Sequence, residues 1–298
     1  MTEGLSILAP AKINLFLHVL GRRADGYHEV ETLLQTVDLF DTISVELGGD
    51  EVELDVTGPD IGPTEQNLAY RAAVAFRARA AIDVGVRIRL EKRIPAGAGL
   101  GGGSSDAAAV LRCMAELHDG GEPEWLMALA ASLGSDVPFF LGASTLAFAT
   151  GRGESLEGLE PLPVRHVVLS LTPVHVATGE AYELLGAPPI MPHGSAERTR
   201  APDVASWDAA LSLAHNDFER VVSGAHQEVE RALAALRREG AELAMLSGSG
   251  GACFGVFPDT DVAARAAARL EESLGWPFAA VRTLSCPPRP VRQVAEGG

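Results

Sequence analysis

Apolar and polar residues alternate loosely from residue 5 to residue 20, and this period of two predicts a strand with Pro10 at a bend or an edge. The same period recurs over 42–47, 51–56 and 84–90. Gly48-Gly49-Asp50 between the first two of these runs predicts a hairpin. In the third run Arg87 and Arg89 share one side, which predicts a strand with a wet face or at a sheet edge. From 68 to 80 the spacing turns helical, with Asn67 as the cap. The run 107–118 is apolar all round and predicts a buried helix; a further helix is expected over 123–133, after the loop Asp119-Gly120-Gly121-Glu122.

A strand over 144–150 is followed by Gly151, Gly153 and Gly158, which mark a boundary. The chain is expected to divide there into residues 1–158 and 159–298. The second part opens with an apolar strand, 167–171, and a helix that Thr178 caps and that carries Tyr182. Residues 188–202, rich in Pro with Gly, Ser and Arg, read as a linker-like excursion, followed by helices near 207–213 and 226–238. The remainder reads strand (241–246), a turn of small residues from Ser247 to Gly251, strand (252–257), helix (261–274) and strand (278–284). That order predicts an α+β sandwich with helices on one face of an antiparallel sheet. The turn serves either as a hairpin or as a close approach to a ligand.

The stretch between strand 84–90 and helix 107–118 carries the chemistry: Ile94-Pro95-Ala96-Gly97-Ala98-Gly99-Leu100-Gly101-Gly102-Gly103-Ser104-Ser105. Five glycines within seven residues let backbone N–H groups approach an anion. Ser104 and Ser105 stand at the predicted helix start as N-cap and first-turn residues, where unpaired donors and the positive dipole end suit phosphate. A flexible linker would not lead straight into an apolar helix. No lysine follows any glycine, so this is not a P-loop. Gly97, Gly99 and Gly102 match the dinucleotide spacing formally, but the preceding strand is half polar and no acidic residue ends a second strand about twenty residues on. The loop is a phosphate loop of a third kind.

A net charge of −16, from 24 basic and 40 acidic residues, argues against nucleic acid or an anionic membrane as partner. No apolar run reaches the ~18 residues of a membrane span, and the chain does not open as a signal peptide. Cys113, Cys253 and Cys286, odd in number and far apart, point to a reducing cytoplasm without disulfides or a zinc site. Only two of the 24 basic residues are lysines, Lys12 and Lys92. Each is a candidate for a place that wants a compact ammonium, and chance survival is a sufficient account of Lys92.

Lys12 and Asn14 lie two apart in an apolar strand and share a face, so they need partners, structural or catalytic. Asp136, in Gly134-Ser135-Asp136-Val137-Pro138, is a carboxylate in an apolar turn; it serves as a local cap or as the partner of a cation such as Lys12. Tyr27 and His28 follow the turn Asp25-Gly26 and either hold a flat base or simply dress the turn.

Taken in order, Pro10-Ala11-Lys12-Ile13-Asn14-Leu15, Arg23-Ala24-Asp25-Gly26-Tyr27-His28, the glycine stretch, Leu133-Gly134-Ser135-Asp136-Val137-Pro138, Asn216-Asp217-Phe218-Glu219 and the Ser247–Cys253 region resemble the galactokinase, homoserine kinase, mevalonate kinase and phosphomevalonate kinase superfamily. The match is densest in the first half. It is closest to the members that phosphorylate the 2-hydroxyl of a cytidine-diphosphate-linked methylerythritol in the non-mevalonate isoprenoid route. The resemblance implies an α+β fold of two domains, an N-terminal ribosomal-protein-S5-like α/β domain and a C-terminal ferredoxin-like sandwich. It implies ATP and Mg²⁺, with Asp136 taking the hydroxyl proton and Lys12 steadying the charge. It also implies that residues 95–105 wrap the triphosphate and that Asn67 and Leu68 border the adenine. Asn14 would bind the polyol, and Tyr27 and His28 the cytosine, with Thr178 and Tyr182 beside them. No carboxylate cluster stands out as a magnesium site, and the oligomeric state is open. A sister kinase with another alcohol acceptor and a non-catalytic nucleotide binder are the alternatives.

Overall fold

The computed structural model describes residues 4–59, 62–119, 124–186 and 200–293. The expected loop after Asp119, the chain's first residues and most of the Pro-rich excursion lie outside that set.

The chain opens with two long strands, β1 (Gly4–Arg22) and β2 (His28–Leu47), paired antiparallel along their length. β3 (Val52–Thr57), α1 (Leu68–Ala80) and β4 (Val86–Glu91) follow. Then come α2 (Gly102–Asp119), α3 (Leu126–Leu133), α4 (Val137–Leu141), β5 (Leu146–Thr150) and β6 (Ser155–Gly158). The first sheet runs β1-β2-β4-β3, and β5 and β6 extend it from the other part of β2. The expected hairpin over 42–56 does not form. β2 and β3 are separated by β4, which pairs antiparallel with β2 and parallel with β3. Gly48-Gly49-Asp50 still turns the chain, but Gly85 occupies the turn, with Gly48 N donating to Gly85 O. β4 is interior, its wet face carrying Arg87 and Arg89 against Glu46 and Glu53, and β3 is the edge.

The second part contains β7 (His166–Ser170), α5 (Thr178–Leu185), α6 (Trp207–Ser212), β8 (His215–Asn216), α7 (Glu219–Ala225) and α8 (Gln227–Arg238). It ends with β9 (Leu243–Leu246), β10 (Cys253–Phe257), α9 (Thr260–Leu274), β11 (Phe278–Arg282) and β12 (Val291–Arg292). The second sheet is antiparallel in the order β11-β7-β10-β9, with α8 and α9 packed on it. This is the expected sandwich. Thr178 does not cap α5: it is the first helical residue, and Ala177 holds the cap position without a side-chain bond. Asn67 does cap α1, its Oδ1 accepting from Ala69 N at 2.8 Å.

The two sheets share a core through β1. Leu5, Ile7 and Ala9 pack with α1 and α2, whereas Ala11, Ile13 and Leu15 pack with Val167, Leu169 and Phe254 of the second sheet. The register shift between Pro10 and Ala11 sits where the strand passes from one layer to the other, as a bulge that bends and twists a strand allows. β8 and β12 add to β1 as well, so late segments of the chain close against its first strand.

Candidate active site

A cleft of ≈ 1010 Å³ opens where the two sheets meet. One wall is the glycine stretch. Ile94, Ala98 and Leu100 drive their side chains into the shared core and leave the glycines between them on the surface of the cleft. Gly97 and Gly99 take φ of +67° and +87°, a region that L side chains rarely enter. α2 begins at Gly102, earlier than the expected 107, so Ser104 and Ser105 belong to its first turn and neither caps it. Ser104 faces the cleft, whereas Ser105 is buried with its hydroxyl unpartnered and lines a separate small cavity with Ala9 and Phe139. Leu100 packs in the core and Asn67 caps α1, neither lining the cleft, whereas Leu68 lines it.

The turn from Ser247 to Gly251 meets this wall backbone to backbone. Ala252 N donates to Ala98 O at 3.0 Å and Ser247 Oγ to Gly99 O at 3.2 Å. A Cβ on Gly99 would lie 2.2 Å from Ser247 O, and one on Gly250 2.3 Å from Ala98 C. The small residues of the turn are therefore required by a close approach to the glycine stretch; Gly248, Ser249 and Gly250 also face the cleft. Asn216, the first residue of the Asn216-Asp217-Phe218-Glu219 stretch, pins the turn by donating to Leu246 O and Gly248 O. Gly99→Ala is expected to strain the loop by about 1–3 kcal/mol and to weaken ATP binding roughly tenfold, measured by nucleotide titration beside a thermal melt. Unchanged affinity would show that the two turns do not set the nucleotide wall.

Lys12 is 4% exposed and Asn14 2%, side by side on the cleft face of β1. Lys12 Nζ donates to Asn14 Oδ1 at 2.6 Å, Asn14 Nδ2 to Thr32 Oγ1 at 2.8 Å, and Thr32 Oγ1 to Phe16 O at 2.6 Å. The chain of bonds fixes the ammonium in place. Burial lowers the Lys12 pKa, and Asp136 partly restores it. Asp136 Oδ2 lies 3.9 Å from Nζ, and its side chain is 34% exposed, so the carboxylate is open to the cleft and not buried as the apolar turn implied. Asp136 holds the cap position of α4 but makes no side-chain cap bond, which leaves it available.

Tyr27, His28, Thr178 and Tyr182 line the same cleft. The His28 and Tyr182 rings stack at 3.9 Å and 10°, and Tyr182 meets Phe218 edge-on. Burial lowers the His28 pKa, with Arg22 adding to the effect. Burial pushes the Tyr182 phenol up to about 12, with Asp136 adding. Tyr27 is half open, and the Arg152 guanidinium lies 4.7 Å over its ring. The one sequence signal for Arg152 is its place between two glycines at the boundary. Gly153 next to it passes 3.9 Å from Asp136 Oδ1, measured from an added Cβ. The glycine wall thus meets Lys12 at Gly101, Lys12 faces Asp136, and Gly153 beside Asp136 directly follows Arg152, which lies over the Tyr27 ring.

Such a cleft, in which a rigid glycine wall at a helix start adjoins a buried ammonium and an open carboxylate, belongs to a kinase of small molecules. The GHMP kinases N terminal domain matches residues 67–143, and the GHMP kinases C terminal domain matches residues 196–275. A 4-diphosphocytidyl-2-C-methyl-D-erythritol kinase of Geobacter sp. (strain M21) is 42% identical over 94% of this chain and 99% of its own. One of Pelotomaculum thermopropionicum is 42% identical over 90% and 94%. A crystal structure of a 4-(cytidine 5'-diphospho)-2C-methyl-D-erythritol kinase superposes with a TM-score of 0.74 at 37% identity, covering 93% of this chain and 98% of that one. A homoserine kinase from Cytophaga hutchinsonii shares the fold, with a TM-score of 0.71 at 17% identity over 97% of each chain. The chain is a small-molecule kinase and belongs, within the GHMP kinases, to the 4-diphosphocytidyl-2-C-methyl-D-erythritol kinase family.

Proposed function

We propose that this protein transfers the γ-phosphoryl group of ATP to the 2-hydroxyl of 4-diphosphocytidyl-2-C-methyl-D-erythritol, a step of the non-mevalonate route to isoprenoids. The observation that carries this reading is the order of groups along the cleft. A nucleotide laid on the glycine wall delivers its terminal phosphate toward Lys12, and an acceptor whose base lies near Tyr27 and His28 delivers its hydroxyl toward Asp136. Asp136 accepts or orients the hydroxyl proton. Lys12 supplies a fixed positive charge for the transferring oxygens, which phosphoryl transfer needs more than covalent help. Asn14 holds the ammonium and has its amide near the polyol. Thr178 and Tyr182 complete the acceptor side, and Leu68 the adenine side next to the Asn67 cap.

Among the described residues the cleft wall carries two carboxylates, Asp136 and Glu183. A magnesium ion would be held there mainly by phosphate oxygens and water, as Mg²⁺ commonly is; it would neutralise triphosphate charge. We assign the protein's work to two domains, residues 1–158 and 159–298, that close the cleft between them. The free cysteines Cys113, Cys253 and Cys286 support a reducing cytoplasm.

The test is ADP release with ATP, Mg²⁺ and the cytidine substrate, run beside mevalonate, homoserine and galactose. Turnover with the cytidine compound alone is expected; turnover with another of the alcohols instead would discard the base pocket. Tyr27→Ala removes one stacking face, worth about 1–3 kcal/mol per base, and should raise KM for the cytidine substrate roughly tenfold. KM for ATP should stay within about twofold. Equal weakening of both ligands would contradict the placement of Tyr27.

A further inference from the structure

Outside the cleft, three metal-ligating side chains converge on the seam between β1 and the second part of the chain. β8 runs parallel to β1 with Phe16 opposite His215. His18, two residues past Phe16, therefore shares the face of His215. The two imidazoles lie face to face, 4.6 Å between centroids and 19° between planes. Asp217 follows β8 directly. Its backbone N–H donates to Leu17 O at 3.1 Å, and its Oδ2 accepts from Val19 N at 2.6 Å, so the carboxylate is held by main chain. From that position Oδ1 lies 2.7 Å from His215 Nε2, while His18 Nδ1 stands 3.9 Å from Oδ2, beyond a hydrogen bond. One ligand atom of each residue falls within 4.8 Å of the others, and all three side chains are partly open to solvent.

We propose that His18, His215 and Asp217 form a binding site for one divalent transition-metal ion of the zinc type. The proposal does not rest on the kinase reading, which gives these residues no task. Two imidazoles and one carboxylate are the donor set of an open zinc site with a fourth position for water. Nitrogen donors select zinc, nickel, cobalt or copper over magnesium and calcium. Bound ligand atoms stand about 3.3 Å apart around a tetrahedral ion with ~2.0–2.2 Å bonds. Torsion of the two half-open His side chains can close the remaining gap while β1 and β8 stay paired. The ion would replace the His215–Asp217 hydrogen bond and give His18, which lacks a short bond to the carboxylate, a ligand role. It would also cross-link β1 to the chain about 200 residues later, beside Leu17 and Phe218 of the cleft wall.

The test uses the full chain titrated with zinc chloride in a calorimeter, and with Co²⁺ by visible absorption. One ion per chain is expected, with a Co²⁺ band of tetrahedral strength. His18→Ala and His215→Ala should each weaken binding at least roughly tenfold. His166→Ala, at a half-buried histidine elsewhere on the second sheet, should leave binding unchanged. The His pair is partly exposed, so both substitutions are expected to keep the wild-type melting temperature in the absence of metal. Zinc bound as tightly by the His18→Ala/His215→Ala double variant as by the wild type would overturn the proposal, as would no binding to the wild type. A His–Asp ion pair alone is then the role of the cluster.

Discussion

Replacing Asp136 by Asn is expected to lower kcat by about 10²–10⁴-fold, the usual worth of a positioned general base, with the fold intact. The fold should survive because the side chain is a third exposed and makes no cap bond to α4. Asn keeps the shape and one acceptor oxygen but can neither take the hydroxyl proton nor offer a charge opposite Lys12. Lys12→Met should lose about 10²–10³-fold in kcat, the scale of removing one charge-stabilising donor. It should also leave Asn14 Oδ1 without its 2.6 Å partner and so cost some stability. Lys12→Arg should not restore the rate, since a planar guanidinium does not fit a buried slot bounded by Gly101 and Asn14. Burial holds the Lys12 pKa below the ordinary value of 10.5, so the ammonium is lost at a lower pH than a surface lysine would lose it. The alkaline limb of kcat should accordingly fall below pH 10.5 in the wild type and be absent from the residual rate of Lys12→Met. Rates at saturating ATP and acceptor, with thermal melts, decide the matter. An Asp136→Asn enzyme within about tenfold of wild type would remove the assigned chemistry.

Much of this site is legible in the amino-acid sequence. The glycine stretch, Lys12 with Asn14, Asp136 and the Tyr27-His28 pair are local signals, each a residue type unexpected in its surroundings. Helix caps follow local rules at Asn67 and fail at Thr178, one residue from Ala177, where no side chain caps at all. What is not legible is long-range pairing. The turn Gly48-Gly49-Asp50 obeys hairpin chemistry, yet β4 brings an apolar face that inserts beside β2, and no local turn encodes that competition. The stack of His28 on Tyr182 joins residues far apart in the chain. The small residues after Ser247 leave a hairpin and a close approach to a ligand both open, and only the folded chain shows an approach to the backbone of Ala98 and Gly99. Lys92 is the sharpest case. Nothing near it in sequence distinguishes it from a surviving surface lysine, because one of its partners, Asp41, lies 51 residues away.

Lys92→Met is expected to destabilise the protein by about 3–5 kcal/mol, the scale of stripping the partner from a buried charge. Lys92 is buried, Nζ donating to Asp41 Oδ2 at 2.5 Å and to Asp106 Oδ2 at 2.8 Å. Asp41 is committed on its other oxygen to Arg93 N and Ile94 N, at 2.6 and 2.8 Å, which fixes the entry to the glycine stretch. Asp106 has an oxygen with no partner. With both carboxylates ionised, the single ammonium would leave a negative charge in the core beneath the start of α2. Burial raises the Asp106 pKa to about 7, Asp41 adding to the rise and Lys92 opposing it. The folded state therefore keeps a proton between the unfolded value of 3.8 and about 7 that the unfolded chain releases. By linkage this group's contribution to stability falls as pH rises through that window and is at its lowest above it. Asp106→Asn removes the titration while keeping the shape and the Lys92–Asp41 pair. Between pH 5 and pH 8 the variant should gain on the wild type by about 1–3 kcal/mol, measured as urea midpoints at each pH. Parallel pH curves for the two proteins would show that Asp106 stays charged throughout. A Lys92→Met protein as stable as wild type would show that water or the surrounding chain reorganises around the two carboxylates and that the ammonium does not hold the loop.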